Sequence, residues 1–269
     1  MTTKNVSPIL EHKHHAPAVF LPENLLREAR RQRSLPNLPV PDVCILDPDG
    51  DIVRALRTDG RGRPFPGWAC YHTEMLNFEL AGETVGIVGF AVGAPFAVLV
   101  AEQMFACGCR LLLSITSAGR IASALPEQAF LMLIDKALRD EGISYHYLPP
   151  DSRFAHAQPS LADRAARALA ATGLPTLRGA VWTTDAPFRE TIQAIRAAAE
   201  EHVLAVEMEA AALYAFAEAR QVPVICLAHV TNRMAQVEGD FEKGDADGSK
   251  DALCALRAVR SRCFLAQTT

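Results

Sequence analysis

The chain has 269 residues, 49% of them hydrophobic and 22% charged, with a formal net charge of −4. That length and apolar content suit one large domain with a full core. Slight acidity, with basic residues scattered apart from the run between Arg27 and Arg33, offers no footprint for nucleic acid or an anionic membrane and leaves small molecules as the expected partners.

No window approaches the roughly 18 uninterrupted apolar residues that span a bilayer, and the first residues lack the charged-then-apolar pattern of a secretory signal. A cytoplasmic location is expected. Seven cysteines, at 44, 70, 107, 109, 226, 254 and 263, fall mostly in apolar runs and read as reduced core thiols. Cys107-Gly108-Cys109 is too closely spaced for the usual zinc pattern and has no second pair, so no metal is expected. His12, His14 and His15 fit a polar leader.

In chain order, residues 1–41 read as a Pro- and Arg-rich arm with one amphipathic helix near 23–33, stopped by Pro36, Pro39 and Pro41. Residues 42–269 read as the domain. It opens with a short strand at 43–46, the turn Asp47-Pro48-Asp49-Gly50 and a polar loop over 58–67. From Thr84 onward strands and helices alternate: strand 85–90, helix 96–107 closed by Gly108, and strand 110–115 ending in Thr116-Ser117-Ala118-Gly119. A third strand is expected at 129–133, then a charged loop, Arg139-Asp140-Glu141-Gly142. Helix 160–172, strand 177–183, helix 189–201 with Asp185 as its N-cap, strand 203–206, strand 224–230 and helix 250–264 complete the pattern.

Continuous apolar strands joined by helices predict a three-layer α/β/α fold around a central mixed, largely parallel sheet. Ligands in such folds gather at the carboxyl ends of strands, which nominates Gly93, Ser117, Thr184, Glu207, Met208, Glu209 and Asn232. The segment Val206-Glu207-Met208-Glu209-Ala210 carries most information, because it sets two carboxylates at the start of an Ala-rich helix that wants burial. An unpaired buried carboxylate costs several kcal/mol, a cost that a polyol donating hydroxyls would offset. The simpler alternative is that the two acids complement the helix dipole, worth roughly 0.3–1 kcal/mol. His146 and His229 are expected in apolar strands and read as core histidines, and His72 is a candidate to face a substrate from a neighbouring subunit.

No Gly-x-Gly-x-x-Gly follows a strand, and neither a Walker loop nor a Gly-x-Ser-x-Gly elbow occurs, so dinucleotide and acyl-transfer chemistry lose support. Over residues 43–264 the sequence instead resembles the nucleoside phosphorylases and nucleosidases of the uridine phosphorylase-like type. The resemblance rests on Ala91-Val92-Gly93-Ala94-Pro95, Ser117-Ala118-Gly119, Arg139 to Tyr147, Thr183-Thr184-Asp185-Ala186-Pro187-Phe188-Arg189-Glu190, Val206-Glu207-Met208-Glu209 and Asn232-Arg233, in that order.

The resemblance implies that Met208 packs on a ribose and that Glu209 accepts hydrogen bonds from its 2′- and 3′-hydroxyls, with Glu207 in support. Negative charge there suits the oxocarbenium-like sugar of N-glycosidic cleavage. It further implies base stacking on Tyr147 and a pyrimidine carbonyl held by Arg233. Asn232 stands where purine-cleaving relatives place a proton-donating aspartate, which favours a pyrimidine-like nucleoside. Phosphate would be the co-substrate, no cofactor is needed, and a dimer or hexamer with sites near subunit interfaces is expected.

Departures from the family pattern concern that phosphate. Its Gly-Asp-Pro-x-Arg turn is here Leu46-Asp47-Pro48-Asp49-Gly50, and Ser114 stands in place of a second arginine. Neutral hydroxyls replace guanidinium contacts to a dianion poorly. Ser117 remains as a donor, and Arg54, Arg61, Arg63 and Arg120 are the candidate substitutes. The glutamine-arginine pair used for uracil is also missing after Phe188. Three readings therefore stand: phosphorolysis, hydrolysis of the same bond, and nucleoside binding without turnover.

Overall fold

A computed structural model describes residues 7–11, 13–122, 125, 128–232, 243 and 245–264. His12 and Arg233 lie outside the described residues. Helix α1 spans Pro22–Arg33, with Pro22 at its first turn and a left-handed Ser34 at its end. The order then runs β1 Val43–Asp47, α2 Asp51–Thr58, β2 Arg63–Pro64, β3 Met75–Leu80, β4 Glu83–Gly89, α3 Ala94–Ala106, β5 Leu111–Arg120 and β6 Phe130–Asp140. It continues with β7 Phe154–His156, α4 Pro159–Ala170, β8 Thr176–Thr184, α5 Ile192–Glu200, β9 Val203–Glu207, α6 Ala210–Arg220, β10 Val224–Asn232 and α7 Ser249–Cys263.

One mixed sheet organises these elements. Strands β4, β1, β5 and β10 are parallel neighbours, and β6 pairs antiparallel with β10 and parallel with β8. Because β9 joins both β8 and β5, the strands β5, β10, β6, β8 and β9 close on themselves. Helices cover both faces, giving the α/β/α layering. On one side α3 and α6 pack together and α1 lies on α3, with Leu26 and Ala29 of the arm buried in that core. On the other, α2 lies on β1 and β4, α7 on β5, and α4 on β6, β8 and β10, burying Ile52, Leu256 and Leu161.

Several local expectations are corrected. Strand β6 runs on through Arg139 and Asp140, so only Glu141 and Gly142 of the charged run lie in a loop. Trp182 Nε1 donates to Asp140 Oδ2 at 2.9 Å, and Arg139 donates to Ser144 Oγ and to the carbonyls of Leu148, Pro149 and Ser152, which ties that end to the following 3₁₀ turn. His146 sits in this 3₁₀ turn and not in a strand. Asp185 does not cap α5: Thr191 does, accepting from the Ala194 amide, while Asp185 accepts from the Gly142 amide at 2.8 Å. Ser117, Ala118 and Gly119 lie inside β5. All seven cysteines are free thiols, six of them buried.

Candidate functional site

The two acids of Glu207-Met208-Glu209 are sorted into different tasks. Glu207 ends β9, and its carboxylate accepts from the amides of Glu209 and Ala210, both at 2.8 Å, and from the Thr183 hydroxyl. It thereby satisfies the first amides of α6, which have no intrahelical acceptor. Thr183 in turn accepts from the Ala211 amide at 2.9 Å. The dipole-complementing role foreseen as the simpler alternative is thus filled by Glu207.

Glu209 takes the N-cap position of α6 but makes no cap bond with its side chain. Its Oε1 instead accepts from the Gly93 amide at 2.6 Å, at the start of α3. Gly93 holds φ at +92°, a conformation that L side chains rarely adopt, and this turns its N–H toward Glu209 while its carbonyl accepts from Phe96 and Ala97. The second oxygen, Oε2, is buried with no hydrogen-bond partner, in a residue only 1% exposed. An unsatisfied buried acceptor costs about 1–3 kcal/mol, more when charged.

Burial lifts the pKa of both carboxyls. For Glu209 the neighbouring Glu207 charge adds to burial, against the Gly93 amide and the Thr116 hydroxyl. For Glu207 the Thr183 hydroxyl and the Glu209 and Ala210 amides work against burial. Nearby Glu141, buried with Oε1 unpartnered and Oε2 accepting from the Ile143 and Ser144 amides, is also raised by burial.

A second group of carboxylates gathers at the end of β1. Asp47 is 2% exposed, accepts from the Val53 amide at 2.9 Å, and is pushed by burial up to about 7. Asp49 reaches across to β5, where its Oδ2 accepts from the Ser117 amide at 2.7 Å and the Ser117 hydroxyl at 2.6 Å. Lys243 lies 3.4 Å from the same oxygen and also pairs with Asp51. Asp47, Asp49, Asp51, Ser117, His229 and Lys243 line a cavity of about 20 Å³. Asp49 was not foreseen as a site residue. Its alternation with Asp47 and Asp51 at a strand end was the available signal.

The remaining nominated residues fall as follows. Met208 is half-buried between the two glutamates. Thr184 is buried, and its hydroxyl accepts from the Ala186 amide at 3.1 Å. Tyr147 lies toward the other end of α6: it donates to Glu102, meets Phe216 edge-on at 5.8 Å and has Arg220 over its ring. Arg54 pairs with Asp51 and lies 5.4 Å over the Phe90 ring, while Arg61 pairs with Asp59 and Arg63 is an exposed residue of β2. Arg120 is buried near the Gln128 carbonyl, 3.5 Å away. The backbone of Asn232 ends β10, paired with Gly119. His72 is exposed beside Phe96, and His229 is buried in β10, its pKa lowered first by burial.

The fold has counterparts among solved structures. The uridine phosphorylase from Vibrio fischeri ES114 superposes with a TM-score of 0.67 at 20% identity, over 86% of this chain and 94% of that one. The same enzyme complexed with 6-hydroxy-1-naphthoic acid gives 0.68 at 19% identity, over 86% and 93%. Among the described residues, no helix is long and apolar enough to cross a membrane. The family model described as the Phosphorylase superfamily matches residues 34–261, and the chain belongs to that superfamily.

Proposed function

We propose that the protein cleaves the N-glycosidic bond of a nucleoside, with the ribose against Met208 and its 2′- and 3′-hydroxyls donating to Glu209. The observation that carries this reading is Glu209 itself: Oε1 is fixed by the Gly93 amide and Oε2 is buried and unpartnered. A vicinal diol supplies the missing donor, and the carboxylate then stands beside the sugar as C1′ becomes cationic. As the C1′–N bond breaks, its electron pair leaves with the base and a nucleophile takes C1′. The substrate proposed is pyrimidine-like, with Asn232 and Arg233 the residues nominated for the base, whereas Tyr147, packed on Phe216 at the far end of α6, is too remote from Glu209 to stack on that base. Gly93 and Glu207 hold Glu209 in place, and Thr184 shapes the β8 end. The reading needs no metal or organic cofactor, and it places the protein in the cytoplasm as a homo-oligomer.

The family relationship supports phosphate as the nucleophile, with Ser117 and Arg54 as the contacts nominated for it. A second reading, transfer to water, is favoured by one observation: both Ser117 donors are already committed to Asp49. Incubation with uridine, inosine and their deoxy forms, with and without phosphate, tests both. Base release dependent on phosphate supports phosphorolysis, and release with free ribose supports hydrolysis. Calorimetric binding of a nucleoside with no product would leave only a binding protein, and neither binding nor release would sink the proposal.

A further inference from the structure

We propose that Asp49 decides which acceptor this site admits: its carboxylate fills the anion-binding donor pair on Ser117 and keeps inorganic phosphate out. Two features carry the inference. The first is the hydrogen bonding itself. An amide and a hydroxyl converging on one oxygen at 2.7 and 2.6 Å are the donors a free anion would use, and here an anion built into the chain has them.

The second is charge: among the described residues, the cations beside Asp49, Lys243 and Arg54, are both already paired with Asp51, and Lys243 also lies 3.4 Å from Asp49. The Asp49 charge is also felt at Glu209, so the two acidic groups share one neighbourhood.

Gly50 shows why an arginine cannot simply be restored beside Asp49. A Cβ there would fall 2.2 Å from Phe90 Cε1, and its φ of +77° disfavours any side chain. The ring of Phe90, itself left-handed at φ +61°, occupies the space that a longer residue at 50 would need.

Phosphate binding can be read without any nucleoside, so the test stands apart from the reading of the reaction, on which only the word acceptor rests. Inorganic phosphate is titrated into the full-length protein by calorimetry and by ³¹P line broadening. The wild type is expected to show no saturable binding, and Asp49→Ser to bind at least about tenfold tighter. Adding Ser117→Ala to that variant should remove the gain, which a merely structural role of Asp49 would not do. Asp49→Asn, which keeps the shape and loses the charge, serves if the serine variant does not fold. Saturable phosphate binding by the wild type overturns the proposal, whichever variants fold, and so does a folded Asp49→Ser protein with no gain.

Discussion

The Gly93 amide and the Glu209 carboxylate meet at 2.6 Å across 116 residues of chain, and this bond joins the start of α3 to the start of α6. It leaves Glu209 with one occupied oxygen and one idle one. A carboxylate held by two idle oxygens would turn to suit any neighbour, whereas this one presents a single acceptor in a fixed place.

Replacing Glu209 with Gln is expected to separate stability from activity. The amide keeps an oxygen for Gly93 and removes a buried charge, so the urea midpoint should stay level or rise. Base release should fall by about 10²-fold or more in kcat/KM, since the charge facing the cationic sugar is gone. Unchanged kcat/KM would remove Glu209 from the site.

Glu207 is expected to respond in the opposite sense. Glu207→Ala strands the Glu209 and Ala210 amides and the Thr183 hydroxyl, and should cost about 2–4 kcal/mol in chemical denaturation. Glu207→Gln, which keeps one acceptor, should recover part of it. A loss below about 0.5 kcal/mol would show that water replaces these bonds.

Asp47 predicts how stability changes with pH. Its folded pKa near 7 lies above the ordinary carboxyl value, so the native state binds the extra proton between about pH 4 and 7. Stability therefore falls as pH rises through that window and levels off above it, by a total on the order of 4 kcal/mol from this group. Asp47→Asn should flatten the profile between pH 5 and 8. A variant as steep as the wild type would assign the slope to Glu207, Glu209 or Glu141.

Gly50 and Phe90 form a coupled pair. Gly50→Ala should destabilise by about 1–3 kcal/mol through its positive φ and the clash with the ring. Phe90→Ala should recover the steric share and leave the conformational share. Strictly additive losses in a double-mutant cycle would contradict the contact.

How much of this was legible in the sequence follows from particular residues. Most of the run from β4 to α7 could be read because buried strands are continuous apolar stretches and their helices end at Gly or polar turns, but the three-residue β7 was missed and β6 was cut short at its charged end. Helix α2 was missed: Asp51 to Thr58 is only eight residues and begins directly from a turn that looked like a loop. Strand β3, Met75–Leu80, was hidden by Asn77 and Glu79 on its partly exposed face. The Glu207-Met208-Glu209 segment announced itself through charge in an apolar setting, yet only tertiary contacts, to Thr183 and to Gly93, tell its two acids apart. The sequence also displayed missing arginines near Ser117 without indicating that Asp49, 68 residues away, would lie there. Tyr147 followed the family order of segments, but the fold directs its hydroxyl to Glu102.

The closed circuit of β5, β10, β6, β8 and β9 bears on size selection. A sheet with free edges can splay to widen a pocket, but a circuit cannot do so without losing a ladder of backbone hydrogen bonds. Ser117, Thr183 and Glu207 all stand on strands of that circuit, so the aperture between them is set by strand number rather than by side-chain adjustment. Discrimination among bulkier and slimmer ligands must then come from the connections that overhang it, such as Phe90 to Gly93 and Asp185 to Thr191. Exchanging those connections alone would retune the same rigid frame.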